Sequence, residues 1–479
     1  MSEEGRAAPP SAARVALGVG AALGVALLTA PKREVYGPPI DDELRIPHLL
    51  RRAGFGASAG ELAEYRALGL AGAVDKLVDY EAVPEAADEK IELFYFDPTR
   101  LADVQRRWFL RMLWTSRPLQ EKMVFFWHGL LTSANSKVGR PALMERQNEL
   151  FRKNALARYG DLLKAVSFDP AMMLWLDTHN SRRAAPNENY ARELMELFSM
   201  GVGNYTETDV REAARAFTGW TVPPAPKDGD PVFNPNQADR GPKQFLGRTV
   251  TTPEDVIDTI VAQPATARFM AAKLFAFFAY PDPEPEVVAP FAELFRRTNG
   301  SIKAVVRAIL TSDAFYSQRA YRARLKSPVE YVVGALRQLG VPSDGSGVVD
   351  RLVRMGQQLY NPPNVAGWPG GRSWLNSGTW IERVNFANAL TAVQGSGPII
   401  PFYLERYLEN LGLRRADEVV EHFLGLLVDG RTSARGRQVL YDYLGAAPGD
   451  DVTGGQQTLR EKLRGLVYLI LAMPEYQLC

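Results

Sequence analysis

The chain has 479 residues, of which 46% are hydrophobic and 23% charged, a composition typical of globular proteins rather than disordered chains or multi-span membrane proteins. Its 56 Lys and Arg residues balance 55 Asp and Glu residues, so no basic excess attracts nucleic acid, and no nucleic-acid partner is expected. The single cysteine, Cys479, excludes an intrachain disulfide and a cysteine-based metal site.

The first predicted element is an uninterrupted apolar run at residues 15–30. Its sixteen residues fall short of the roughly 20 that a spanning helix needs, so the run is typical of the apolar part of an export signal. An uncleaved membrane anchor and an ordinary buried helix are the alternatives. The Pro-containing segment 31–43 resembles a linker, so we assign residues 1–44 to an export signal or membrane anchor plus linker. Membrane contact is expected only through residues 15–30.

Helices are expected to dominate the first part of the folded chain. Ser58 and Glu61 have the spacing of a capping box, which predicts a helix beginning there, and a second short helix follows near 71–80. Two longer amphipathic helices are predicted near 101–116 and 118–130. The latter ends in Phe-Phe-Trp-His, with His128 as its last polar residue.

The central predicted helix covers residues 187–198. Asn187 is placed to cap it, and Glu188 puts a negative charge in the first turn, where the helix dipole favours one. The remaining positions separate into an apolar and a polar set. The apolar positions are Tyr190, Leu194, Leu197 and Phe198, and the polar ones are Asn189, Arg192, Glu193 and Glu196.

The next helix is predicted to begin at Thr206, with Asp209 completing a capping box, and to pack against the central helix as an antiparallel partner. Residues 221–252 show no helical period and are interpreted as a short hairpin or a lid. Residues 357–371 contain too many Pro and Gly residues for a helix or a central strand and predict an ordered loop.

Most of the rest has helical character, near 253–262, 264–279, 285–298, 301–311, 327–339, 376–394, 401–411, 415–428, 432–444 and 457–472. We therefore predict an all-α protein: a large multi-helix, bundle-like domain with long irregular loops and little or no sheet. It occupies residues 45–475, as one lobe or as sub-lobes 45–220 and 253–475 joined by the 221–252 loop.

Five segments together resemble the bacterial domain-of-unknown-function 1800 family. They read His-Leu-Leu-Arg-Arg-Ala-Gly-Phe-Gly, Phe-Trp-His, Asn-Glu-Asn-Tyr-Ala-Arg-Glu-Leu-Met-Glu-Leu-Phe, Tyr-Thr-Glu-x-Asp-Val-Arg-Glu-Ala-Ala-Arg-Ala-Phe-Thr-Gly-Trp and Pro-Pro-Asn-Val-x-Gly-Trp-x-Gly-Gly. The resemblance implies a largely helical, commonly exported bacterial protein. It also implies a genomic neighbour, a domain-of-unknown-function 1501 protein similar to the sulfatase and phosphatase superfamily.

The polar residues of the central helix pair form the first candidate site. Glu193 and Glu196 are three residues apart, and with His128 from another helix they would make a ligand set for Mg, Ca or Mn. The alternative is a purely structural charge ladder along the helix surface. Candidate catalytic residues are His128, Glu193 and Arg215; candidate binding residues on this helix pair are Asn187, Glu188, Asn189, Arg192, Glu196 and Asp209.

The loop at 357–371 forms the second candidate site, through Asn364 and Trp368. An exposed tryptophan beside amides suits recognition of a peptide or glycan, whereas a buried one would make the loop a packed plug. A plug predicts a loss of about 3 to 5 kcal/mol for Trp368→Ala, and a recognition surface predicts almost none.

Two function classes follow from these candidates. The first is an accessory or binding partner of an exported sulfatase-like protein, exported, periplasmic or anchored to the cell envelope, acting through the long loops. The second is a metal-assisted enzyme that uses the central helix pair. No complete catalytic set can be written, which favours the first class.

Overall fold

A computed structural model describes residues 33–224, 229–391, 403–453 and 457–479. The predicted export segment at 15–30 lies outside these residues. Within them no helix combines the length and the apolar character needed to cross a bilayer.

The described chain is mostly α-helical, as expected for an all-α protein. The first twelve helices are α1 Arg33–Tyr36, α2 Asp42–Arg52, α3 Ala59–Val78, α4 Ala87–Ile91, α5 Leu101–Trp114, α6 Pro118–Leu130, α7 Asn135–Val138, α8 Pro141–Lys153, α9 Tyr159–Ser167, α10 Pro170–Trp175, α11 Asn189–Glu196 and α12 Glu207–Ala216. The others are α13 Pro253–Val261, α14 Pro264–Phe278, α15 Pro285–Arg297, α16 Ile302–Leu310, α17 Pro328–Leu339, α18 Val348–Arg354, α19 Ser377–Thr391, α20 Leu404–Leu411, α21 Ala416–Val428, α22 Ala434–Leu444, α23 Gln457–Ala472 and α24 Pro474–Gln477. Short 3-10 helices lie at Tyr80–Ala82, Thr178–Asn180 and Gly371–Trp374.

Local capping decides where several helices begin, as the sequence predicts. The capping boxes Ser58/Glu61 and Thr206/Asp209 are both present, at the starts of α3 and α12. Gly69 takes a left-handed conformation inside α3 and kinks it, which accounts for the two separate helices expected there. These interactions join residues only a few positions apart, and for that reason they are visible in the sequence.

In the part of the chain that the structure describes, the strands form two small antiparallel pairs, which lie in or directly beside the 221–252 segment for which a hairpin or a lid was expected. β1 (Trp220–Thr221) pairs with β2 (Val232–Phe233), and β3 (Lys243–Phe245) pairs with β4 (Arg248–Val250). The second pair is the hairpin. Leu246 and Gly247 form its two-residue turn with φ of 46° and 74°, the backbone that tight hairpins require.

A continuous buried apolar cluster runs from Tyr36 in α1 to Tyr476 in α24. It is crossed by buried polar contacts between the two sub-lobes proposed from the sequence. The His48 ring contacts the Phe315 carbonyl at 3.0 Å, and Gln105 Nε2 donates to the Leu359 carbonyl at 2.7 Å. Lys122 of α6 forms a buried ion pair with Glu330 of α17. The division into sub-lobes stays a prediction.

Candidate functional site

The central helix α11 buries the apolar face predicted for it. Tyr190, Leu194 and Phe198 are buried, whereas Leu197 is half-buried and Met195 is buried in addition. The helix begins at Asn189, two residues later than predicted, but Asn187 still acts at its start. Its Oδ1 accepts a hydrogen bond from the Asn189 backbone N–H at 2.9 Å.

The charged residues of α11 and α12 form ion pairs with one another at the surface. Arg192 donates to both carboxylate oxygens of Glu207, at 2.7 and 2.8 Å, and to Glu188 at 3.2 Å. The hydrogen bonds to Glu207 raise the pKa of Arg192 above its ordinary value. Glu196 accepts a hydrogen bond from the Tyr205 hydroxyl at 2.7 Å. Of the charge ladder considered from the sequence, the pair of Glu188 and Arg192 is therefore present, while Arg192 also pairs with Glu207 and Glu196 binds Tyr205.

Partial burial, and then the Glu196 carboxylate, raise the pKa of Glu193, with Arg192 acting in the opposite direction. Both glutamates are half-buried. In the part of the chain that the structure describes, no three or more His, Cys, Asp or Glu side chains are arranged to hold a metal ion. The expected gathering of His128, Glu193 and Glu196 is thus corrected: these three candidates are not brought together as a ligand set.

Arg215 and Asp209 hold the segment between α12 and α13 in place. Arg215 donates to Asp239 at 2.8 Å and to Glu212 at 2.7 Å. Asp209, besides capping α12, accepts from the Leu246 backbone N–H at 2.8 Å. Sequence reasoning missed Asp239, which lies in the irregular segment with no periodic pattern to indicate its partner.

His128 lies in an aromatic cluster and not beside carboxylates. Its ring is 5.3 Å from that of Trp108, 5.7 Å from that of Tyr360 and 5.4 Å from that of Trp368. Burial lowers the pKa of His128 to about 3, so the imidazole is neutral at pH 7. Among the described residues its Nε2 has no hydrogen-bond partner.

The loop at 361–371 packs on the end of α6 through Gly367 and Trp368. Gly367 has a φ of +82°, and a Cβ there would lie 2.3 Å from the Gly129 carbonyl oxygen. Trp368 is half-buried and stacks on Phe125, with ring centroids 6.3 Å apart. Asn364 is exposed. The loop therefore has a feature of each alternative: Trp368 packs against α6, as in a plug, while the Asn364 side chain is exposed, as on a recognition surface.

Trp368→Ala should accordingly lower the free energy of unfolding by about 1 to 3 kcal/mol, less than truncation of a fully buried aromatic residue costs. Urea unfolding followed by circular dichroism measures the loss. Trp368→Phe keeps an aromatic ring against Phe125 and should lose less. Equal losses for the two variants would contradict the stacking argument.

The short helix α7 connects this loop to the start of α11. The Asn135 N–H donates to the Tyr360 carbonyl at 2.8 Å, and the Ser136 N–H to Asn361 Oδ1 at 2.9 Å. Lys137 Nζ then donates to Asp177 Oδ2 at 2.8 Å. Backbone and side-chain contacts thus fix α7 from both sides.

Asp177 in turn connects α7 to the central helix. It takes the left-handed conformation at φ 60°, uncommon for a residue with a side chain, and Asn189 Nδ2 donates to it at 3.4 Å. We call the resulting surface the amide face. It consists of Ser136, Lys137, Asp177, Asn187, Asn189, Asn361 and Asn364, all of them exposed or half-exposed.

Sequence reasoning selected Asn187, Asn189 and Asn364 of this face and missed the residues that join them. Lys137 and Asp177 lie 40 positions apart, and Ser136 and Asn361 lie 225 apart. The one local signal was Gly139, which ends the four-residue helix α7 in a left-handed conformation.

These observations define a class of protein: an almost wholly α-helical chain whose long loop and central helix are connected, through α7 and Asp177, by an exposed, amide-rich surface. The chain belongs to the family described as protein of unknown function (DUF1800), whose model matches residues 48–478. The comparison with curated proteins and the comparison with solved structures found no match.

Proposed function

We propose that this protein is a non-catalytic accessory or binding protein that recognises its partner through the amide face. One observation carries the proposal: the amide side chains belong to segments that hydrogen bonds within the chain hold in place. Asn361 accepts from α7, and Asn189 and Lys137 both bind Asp177. A surface whose side chains are ordered before binding loses less entropy when a partner docks.

The chemistry of the amide face favours a polar, uncharged contact. Asn361 uses both ends of its amide within the chain, since Oδ1 accepts from Ser136 and Nδ2 donates to Gln358. The Oδ1 atoms of Asn187 and Asn364 accept backbone N–H groups and Asn189 Nδ2 donates to Asp177, which leaves the Nδ2 groups of Asn187 and Asn364 and the Oδ1 of Asn189 for a partner. The charge of Lys137 is opposed by that of Asp177, 2.8 Å away. Backbone groups and hydroxyls of a partner are therefore better suited to this face than a polyanion.

The family resemblance supplies the expected partner, an exported sulfatase-like protein encoded beside such chains. With it comes the expectation of an exported, periplasmic or envelope-anchored location. We include both in the proposal. The partner catalyses the reaction, and this chain binds or positions the partner.

The proposal is tested by measuring the affinity of the full chain for the sulfatase-like protein encoded beside it. Interferometry with both proteins purified gives this affinity. The double variant Asn189→Ala/Asn364→Ala should weaken binding at least tenfold, about 1.4 kcal/mol, because both amides belong to the proposed contact. Its unfolding midpoint should stay close to that of the parent, because both side chains are exposed.

Arg415→Gln is the control, since it changes a surface ion pair at the start of α21 that has no part in the amide face. It should bind as the parent does. Unchanged affinity in the double variant would refute the amide face as the contact, and absence of any binding would refute the partner.

A further inference from the structure

Helices α14 and α15 form an antiparallel pair with an open groove of about 380 Å³ between them. Residues 279–284 connect the two helices, and the Phe275 and Phe291 rings meet with their centroids 5.6 Å apart. We call this space the α14–α15 groove. None of the residues that line it belongs to the amide face.

The middle of the α14–α15 groove is apolar. Val288 and Ala292 are buried there, whereas Ala272 is half-buried and Ala289 is exposed. The three residues on α15 are spaced three or four positions apart or adjacent, so they lie on one face of that helix. Since alanine side chains are short, another helix can pack over this face at an interaxial distance of about 8 to 10 Å.

One end of the α14–α15 groove is positively charged. At the end where α14 begins and α15 ends, Arg268 and Arg296 line the groove and Arg297 follows in the chain, all of them exposed. Glu293, the acidic residue that lines this end, pairs with Arg296 at 3.0 Å and offsets one of the three positive charges. Arg268 forms no ion pair within the part of the chain that the structure describes.

The opposite end, where residues 279–284 lead into α15, is negatively charged. Asp282 and Glu286 are exposed and flank two prolines that line the groove. Among the described residues neither forms an ion pair. Glu284 lies between them and pairs with Arg319. Two carboxylates at this end are therefore left without a counter-charge.

We propose that the α14–α15 groove binds the same groove of a second copy of this chain, in a symmetric dimer. The two-fold axis lies in the interface and crosses the groove near its middle, at right angles to the helices. Helix α15 is then antiparallel to α15 of the other copy, and the positive end of each groove faces the negative end of the other. An axis parallel to the helices would instead place like charges together, which opposes association.

A second copy matches the whole charge pattern of the groove. Both ends find the opposite charge in one interface, and the apolar middle packs against an identical apolar middle. The product is a four-helix arrangement, in which two helix pairs bury the faces that each leaves exposed. A hydrocarbon ligand would fill the apolar middle and leave the charges at both ends unmatched. The contact is about 20 Å long, the length of α15, so we expect a dissociation constant in the micromolar range.

Analytical ultracentrifugation of the full chain over a concentration series tests the dimer. The parent should reach the mass of a dimer by about 200 µM. The double variant Arg268→Glu/Arg296→Glu should raise the dissociation constant at least tenfold, because both ends of its groove become acidic. Asp282→Lys/Glu286→Lys should do the same, because both ends become basic. All four side chains are exposed, so both variants should unfold at the temperature of the parent.

Mixing the two charge-reversed variants in equal amounts is the decisive step. In the mixed dimer every acidic end faces a basic end, so the mixture should associate about as tightly as the parent does. A mixture that stays monomeric would overturn the proposal. So would a parent that is monomeric at about 200 µM, or a dimer that persists unweakened in both separate variants, since that dimer would use another surface.

Ala289→Cys locates the two-fold axis independently of charge. Position 289 lies near the middle of α15, so the two new thiols should face each other across the axis and form a disulfide under mild oxidation. The native Cys479 is buried and should not compete. Val439→Cys is the matched control, an exposed position on α22 that does not line the groove. Equal cross-linking of the two cysteine variants would count against an axis at the α14–α15 groove.

Discussion

Replacing Lys122 with methionine should lower the free energy of unfolding by about 3 to 5 kcal/mol, one of the two largest effects we expect from a single substitution. Lys122 is 1% exposed in α6, and Glu330 is 4% exposed in α17. Methionine fills the space of the lysine stem but leaves the Glu330 carboxylate buried without its main counter-charge. The Ser327 backbone N–H donates a hydrogen bond to Oε2 at 2.9 Å, but this neutral donor does not replace the lost positive charge. Urea unfolding of parent and variant measures the loss.

The double variant Lys122→Met/Glu330→Met separates the contribution of the ion pair to the free energy of unfolding from the contribution of packing. It removes both charges, so it should be more stable than Lys122→Met alone, even though it loses the capping role of Glu330 at the start of α17. A double variant as unstable as the sum of the two single variants would show that the charges do not interact. The surface pair Arg192–Glu207 offers a contrast, since Arg192→Met should cost less than about 1 kcal/mol.

The Lys122–Glu330 ion pair also makes the free energy of unfolding depend on pH. Burial raises the pKa of Glu330, but the charges of Lys122 and Arg324 outweigh burial and hold the pKa below its ordinary value. A carboxyl group with a lowered folded-state pKa contributes its full stability above the unfolded pKa of about 4.3, and loses it as the pH falls below that value. This contribution should therefore decline between pH 5 and pH 3 in the parent and decline less in Lys122→Met.

Helix positions were predictable because their determinants are local. Ser58 and Thr206 cap helices through residues three positions away. The apolar residues Tyr190 and Leu194 are four positions apart, so their shared helix face can be recognised within about one helical turn. The hairpin around Gly247 was expected only as one of two possibilities, because Leu246-Gly247 lacks the Asn-Gly or Asp-Gly pair that marks such turns.

The surroundings of the candidate site residues were not predictable, since they depend on distant parts of the chain. His128 was expected near carboxylates, yet its neighbours Tyr360 and Trp368 are more than 230 positions away. A single sequence shows that both segments are rich in aromatic residues. It contains no signal that they pack against each other, because packing of this kind has no fixed spacing.

The second large effect is expected at Gly367, where the long loop meets the end of α6. Gly367→Ala should lower the free energy of unfolding by about 2 to 4 kcal/mol, from the cost of a left-handed alanine together with the displacement of backbone. The displacement is required because the new Cβ would lie 2.3 Å from the Gly129 carbonyl oxygen, closer than a Cβ contact allows. Urea unfolding monitored by tryptophan fluorescence reports both the loss and the movement of Trp368.

Gly371→Ala in the same loop is the matched control, because Gly371 also has a positive φ, of 55°, but open space where a Cβ would stand. It should cost only about 1 kcal/mol, the conformational cost alone. Equal losses at the two glycines would contradict the close approach to α6. If the amide face binds the partner, Gly367→Ala should also weaken that binding at least tenfold, since a displaced loop moves Asn361 from its contact with α7 and changes the position of Asn364. Loss of stability with full affinity would place the contact elsewhere, because a displaced loop no longer holds Asn361 against α7.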